Sequence, residues 1–240
     1  MAYKIMAQGL DAAGLGRQIQ AHPGPVEVVG CLGQRFIGAG MQKKKIRVTG
    51  IPGNALGAYL NGGEIEVCAN AQDAVGDTMN AGTIVIHGDV GDTVGYAMRG
   101  GEIYVEGSAG YRAGVHMKEY QDKVPVMVIG GRAGSFLGEY QAGGVILVLG
   151  LTGSGPIAGN FPCTGMHGGK VLLRCRPEEL LFPGQVTALP ASPQDLDAVR
   201  PYLEEFCRRF GKDLAFILNA PFTLAVPDSR NPYRQMYVAN

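Results

Sequence analysis

Short runs in which apolar residues alternate with others recur through the middle of the chain at a fixed interval. Ile46-Arg47-Val48, Ile65-Glu66-Val67, Ile84-Val85-Ile86 and Ile103-Tyr104-Val105 each begin nineteen positions after the run before. Two further columns keep the same step: Gly38, Gly57, Gly76, Gly95 and Gly114, and Met41, Leu60, Met79, Met98 and Met117. Alternation with period two is the mark of a strand, with Ile84 and Ile86 on one side and Val85 on the other. β-Branched residues dominate and no helical period appears. A nineteen-residue unit cannot bury an apolar face alone, so it must stack on its neighbours. The pattern predicts an all-β solenoid, a coil of parallel strands whose inward set is Ile46/Val48, Ile65/Val67, Ile84/Ile86 and Ile103/Val105.

Two departures interrupt the register. Val126 matches Ile103 twenty-three residues on, which places four extra residues in 117–123, and the step from Val126-Met127-Val128 to Ile146-Leu147-Val148 is twenty. A longer excursion, 150–165, precedes the last strand, Val171-Leu172-Leu173. The chain therefore divides into an N-terminal cap over 1–25, β-helix repeats over 26–175, and a connector, helix and C-terminal docking arm over 176–240. In the cap, Leu10 to Gln20 reads as a short helix with Leu15 and Ile19 on one face. In the C-terminal part, Ser192 is an N-cap followed by Pro193, with Leu196, Val199, Leu203, Phe206 and Phe210 on one stripe before a stop at Gly211. Pro201 falls inside that stripe and is expected to kink the helix or delay its start.

Composition sharpens this picture at three points. Glycine makes up 38 of 240 residues, more than twice the usual share of roughly 7%, as corners and close backbone approaches require. The 21 basic and 21 acidic residues cancel, so neither nucleic acid nor an anionic membrane is expected as a partner. No run approaches the apolar length of a membrane span and no signal peptide precedes the repeats, from which a cytoplasmic protein is expected. Cys31, Cys68, Cys163, Cys175 and Cys207 are odd in number, scattered and without a C-x-x-C pair, which argues against a disulfide framework, a zinc ribbon or a cluster site.

Several strings carry a family resemblance. Gly88-Asp89-Val90-Gly91 with Gly95, and Gly107-Ser108-Ala109-Gly110 with Gly114, resemble the glycine-rich (GXGXG) repeats of the C-terminal domain of the glutamate synthase large subunit. So do Gly33 to Gly40, Gly95 to Gly101, Gly114 to Tyr120 and Thr164 to Gly169, which look like a stand-alone version of that domain, and Ser229 to Tyr233 looks like its terminal Ser-x-x-Pro-Tyr pattern. A more distant likeness is to the β-helical subunit of formylmethanofuran dehydrogenase. The resemblance implies a right-handed parallel β-helix with a structural role. It further implies glutaminase and flavin/iron-sulfur synthase subunits as partners, with FMN and the iron-sulfur cluster held by those partners and no cofactor in this chain.

The residues themselves offer little chemistry of their own. The Gly-x-x-Gly turns recur without a following helix or a Lys-Ser/Thr, so they read as corners rather than phosphate cradles. Stacking the coils places Cys68, His87 and Glu106 one above another at about 4.8 Å, a set of metal-ligand types; the other reading is an outward polar column. His116, Lys118, Glu119 and Tyr120 beside the insertion, with Arg230 and Tyr233 in the tail, are candidate partner-docking residues. Asp73 and Asp92 share a mixed column with Asn54 and Tyr111, unlike the clustered carboxylates of a β-helix lyase. No catalytic constellation emerges. The expectation is a non-catalytic structural subunit of a glutamate-synthase-like oxidoreductase complex, with a formyl-transferring complex as the alternative and homo-oligomerisation left open.

Overall fold

The computed structural model describes residues 2–228. In chain order they form β1 (Tyr3–Met6), α1 (Ala12–Ala21), β2 (Val26–Leu32), β3 (Lys44–Ile51), β4 (Asn61–Val67), β5 (Ala81–Ile86), β6 (Glu102–Val105), β7 (Val126–Ile129), β8 (Ala142–Val148), β9 (Gly168–Leu173), a single 3-10 turn (Pro177–Glu179), β10 (Val186–Pro190), α2 (Pro193–Phe210), α3 (Leu214–Leu218) and β11 (Thr223–Pro227). All eleven strands belong to one sheet. β1 to β9 follow one another in order and in parallel, and the sheet ends β9-β11-β10 with antiparallel pairs. The fold is the expected β-solenoid. No helix of the described residues is long and apolar enough to cross a membrane.

The inward column runs Ile46, Ile65, Ile84, Ile103, Met127, Ile146 and Val171, one residue per coil and all in register. Here the structure corrects the reading of the first departure. Ile103 pairs with Met127, not Val126, and Met127 pairs with Ile146, so the insertion is one residue longer and the next step is an ordinary nineteen. A slip of one residue turns every side chain of a strand to the other face, and apolar character normally reveals the slip. Here it cannot, because Val126 and Val128 are buried outside the solenoid as fully as Met127 and Ile129 are buried within it.

That second apolar layer is made by the C-terminal part of the chain. Val199, Leu203 and Phe206 of α2 pack with Ile217 and Phe222 on the outer face of β6 to β9, against Tyr104, Val126, Val128, Leu147 and Leu172. The helix begins at Pro193 as its cap predicts: Ser192 Oγ accepts from Asp195 N–H, and Gly211 closes it with φ 62°. It also continues through Pro201, which is exposed, so water can serve the carbonyl that proline leaves unpaired. At the other end of the solenoid, α1 starts two residues later than expected because Asp11 caps it, accepting from Gly14 N–H at 2.7 Å. Leu15 and Ile19 are buried as predicted. The segments read as a cap and a connector also contribute strands, β1 paired with β2 and β10 paired with β11.

Glycine serves two distinct needs in each coil. On the side away from the strands, every second residue has positive φ: Ala55, Gly57 and Tyr59 at 62, 66 and 56°, then Ala74, Gly76 and Thr78 at 56, 69 and 51°. This directs successive amides to opposite neighbours, Gly57 N–H to Ile37 C=O of the coil before and Tyr59 N–H to Asp77 C=O of the coil after. The middle member points inward. A methyl group on Gly57 would lie 2.5 Å from Ile84 Cδ1 of the next coil, so glycine is required there twice over. The other need arises at the Gly-x-x-Gly corners, where Asp89 Oδ1 accepts from Ser108 N–H at 2.7 Å, Asp73 Oδ1 from Asp92 N–H at 3.0 Å and Asp92 Oδ1 from Tyr111 N–H at 2.8 Å. Gly91 and Gly107 make room for these side chains: a Cβ would sit 2.1 or 2.2 Å from the accepting oxygen. The mixed column of Asn54, Asp73 and Asp92 is thus a ladder of side chain to backbone bonds between coils.

Gly57→Ala forces a Cβ into the Ile84 methyl at an unfavourable φ, and should destabilise the chain by roughly 2–4 kcal/mol, combining overpacking with backbone strain; urea denaturation measures it. The seating of α2 should also depend on pH. Arg209 of α2 bonds Glu64 of β4 at 2.8 Å and Glu205 at 2.6 Å, and Glu205 is held down to about 2, first by its bond to Arg208 and then by Arg209. Because the folded-state value lies below the ordinary 4.5, the stabilisation is complete above that pH and is lost as the pH falls through about 2. The melting temperature should drop across this window, and Glu205→Gln should make the drop shallower.

Candidate partner-docking face

The two positive-φ positions that flank each inward glycine point away from the core, and nothing there forbids a side chain. One column reads Phe36, Ala55, Ala74, Thr93, Arg112, Phe136 and Phe161; the other reads Gly40, Tyr59, Thr78, Ala97, His116, Tyr140 and Gly165. A non-glycine residue in this conformation costs on the order of 1 kcal/mol that glycine avoids. The middle coils carry small residues there. The last coils carry rings.

Those rings meet because neighbouring coils are separated by about 4.8 Å, close to an aromatic stacking distance. His116 stacks on Tyr140 with centroids 5.1 Å apart and planes at 10°, and Tyr96 meets His116 edge-on at 6.0 Å. Phe136 stacks on Phe161 at 5.3 Å, with the Arg112 guanidinium 5.5 Å from the Phe136 ring centre. Arg112 Nε is also 3.1 Å from the Glu139 carboxylate, whose side chain is only 10% exposed. Phe161 remains 62% exposed, Tyr96 41% and Tyr140 38%.

Of the docking residues expected from sequence, His116 lies inside this cluster. Lys118 follows it two positions later and is exposed, stacked above Arg99 of the preceding coil. Glu119 instead braces the insertion, its Oε1 accepting from Gly144 N–H at 3.0 Å and so tying that segment to β8. Tyr120 exchanges two backbone bonds of 3.1 Å with Lys123, closing the insertion as a tight turn, and its ring is exposed. Arg230 and Tyr233 lie outside the described residues. Sequence reasoning missed Tyr96, Arg112, Phe136, Tyr140 and Phe161. For Phe136, Tyr140 and Phe161 the signal was present in the columns beside the inward glycines, had those columns been carried across the two breaks in register; Tyr96 lies outside both columns.

The proposed metal column takes another form. Cys68, His87 and Glu106 do occupy successive coils; His87 and Glu106 approach one another while Cys68 stays exposed. His87 Nε2 is 3.0 Å from Glu66 Oε1 and its Nδ1 is 3.8 Å from Glu106 Oε2. Arg47 holds Glu66 and Lys212 holds Glu106, each at 2.8 Å, while Phe210 of α2 meets the His87 ring edge-on at 5.2 Å. Among the described residues no three His, Cys, Asp or Glu side chains converge as a metal would need. Cross-strand charge pairing has taken up the carboxylates, and the column anchors the end of α2. Cys163 occupies the inward glycine position of the last coil, and burial pushes its thiol up to about 12, which leaves it protonated and shielded.

The family described as GXGXG motif matches residues 25–227. MJ1350, an uncharacterized protein of Methanocaldococcus jannaschii, is 46% identical over 215 residues, covering 86% of this chain and 82% of that protein. Among solved structures, a chain of the formyltransferase/hydrolase complex (FhcABCD) from Methylorubrum extorquens, in complex with methylofuran, superposes with a TM-score of 0.62 at 20% identity. That likeness covers 93% of this chain and 90% of the other, and at such identity it speaks to the fold alone.

Proposed function

The chain belongs to the GXGXG motif family, and from that premise we propose that it is a non-catalytic structural subunit of a multisubunit enzyme. The observation that carries this reading is the use of its polar side chains. Asp73, Asp89 and Asp92 bond the backbone of the next coil, Glu119 bonds Gly144, and Glu64, Glu106, Arg209 and Lys212 fasten α2 to the sheet. Groups that would otherwise be candidates for acid-base work hold the solenoid in shape. What faces outward is a ring cluster suited to protein contact.

The more specific reading is a glutamate-synthase-like assembly. Glutaminase and flavin/iron-sulfur subunits would carry the chemistry, and this chain would hold them in register for ammonia transfer. It is supported by the strings Gly33 to Gly40, Gly95 to Gly101, Gly114 to Tyr120 and Thr164 to Gly169. A formyl-transferring complex is the second reading, supported by the near-complete overlap in fold with a chain of the FhcABCD complex. The five free cysteines fit a reducing, cytoplasmic setting for either assembly.

Tagging the chain in its native cell and identifying what elutes with it tests both. Stoichiometric glutaminase and flavoprotein subunits are expected on the first reading, and amidohydrolase or molybdopterin-binding subunits on the second. A chain that elutes alone under mild conditions would remove the subunit role altogether.

A further inference from the structure

One inward column of the solenoid contains an amide. Met41, Leu60, Met79, Met98 and Met117 are followed by Gln141 and then by Met166, and Gln141 is fully buried. Its Nε2 donates to Gly143 C=O at 3.2 Å and to Gly144 C=O at 3.1 Å, bracing the bulge where the pairing of β8 with β9 shifts between Ala142 and Val145. Those two acceptors fix the amide, because turning it over would set its oxygen against both carbonyls. Oε1 is therefore aimed into the interior. It meets no donor there, and among the described residues no other buried side-chain oxygen or nitrogen lacks a partner. An acceptor enclosed in this way is costly unless something donates to it.

The space beside that oxygen differs from the rest of the interior. At Gly38, Gly57, Gly76 and Gly114 an isoleucine δ-methyl lies 2.4 or 2.5 Å from where a Cβ would stand. At Gly138 the corresponding strand residue is Val171, which has no δ-methyl: its Cγ2 is 3.5 Å from that point and Ile146 Cδ1 is 3.7 Å away. The nearest atom is Gln141 Oε1 itself, at 3.1 Å. One coil further on, at a spacing of about 4.8 Å, Cys163 takes the inward glycine position. Its thiol is fully buried and protonated, a weak donor and a weak acceptor.

The geometry points to one water molecule bound inside the last coils, in the space that the missing δ-methyl leaves, donating to Gln141 Oε1 and facing the Cys163 thiol. Water suits the site in size and in chemistry, since a buried water is held by polar groups that would otherwise go unpaired. Ile146 and Val171, which form the rest of the wall, carry no charge to hold an ion. With the water in place, the methionine column can carry an amide that serves Gly143 and Gly144.

Crystals of the intact chain test the inference. Wild-type electron density should show a spherical peak about 2.8 Å from Gln141 Oε1, and Gln141→Met should lose it. Methionine stands at this place in five other coils, so the variant should keep cooperative melting. In solution, magnetic relaxation dispersion of the solvent counts waters held inside a protein, and its amplitude should fall by one molecule in Gln141→Met. Wild-type density in which Oε1 contacts a protein donor, or faces no peak, overturns the proposal. So does a relaxation amplitude that is the same in the wild type and the variant.

Discussion

Everything in this molecule depends on keeping each coil within hydrogen-bonding distance of the next around its whole circumference. A parallel strand pair does this over four to seven residues of each coil, but the remaining residues must turn corners and still pair their amides upward and downward. The chain meets the requirement by two means. Positive φ at alternate residues sends amides to both neighbours, and Asn, Asp or Ser at each corner accepts from the backbone one coil ahead. Both demand glycine, though for different reasons. At Gly57 and Gly76 the isoleucine of the next coil occupies the space of a Cβ, and at Gly91 and Gly107 a carboxylate does.

The same constraint decides where side chains are free to vary. Inward positions are occupied by isoleucine, valine and methionine, and corner positions by short oxygen acceptors. Only the outer sheet face and the two positive-φ columns are left. The outer face divides into a charged half over the first strands and an apolar half covered by α2, joined at His87 and Phe210. The positive-φ columns divide as well, small in the middle coils and aromatic in the last ones. A polar column that resembles a metal site in projection becomes a set of ion pairs in space, because Glu66 approaches His87 diagonally while Cys68, its neighbour in the stack, remains exposed.

Much of this was legible in the residues. The nineteen-residue step reveals the strands, the inward column and the inward glycines, because burial inside a repeating coil imposes one residue type at one interval. The caps Ser192 and Gly211 mark the ends of α2 for equally local reasons. The insertion before Val126 was placed one residue short, since the alternation of apolar and polar residues that normally identifies the inner face disappears where both faces are buried. The pairing of Asp73 with the backbone of Asp92 was also hidden. A column of Asn, Asp and Tyr looks mixed until the amide that each carboxylate accepts from is seen.

The order of residues alone establishes the class of fold, the succession of coils and the interior, because a periodic structure writes its period into the chain. Tertiary packing was needed to bring the C-terminal helix back over the outside of β6 to β9, to set His87 between Glu66 and Glu106 with Cys68 left exposed, and to gather rings from positions 96 to 161 into one surface. Those outcomes depend on contacts between residues far apart in the chain or on either side of a break in register, where no fixed interval links one position to the next.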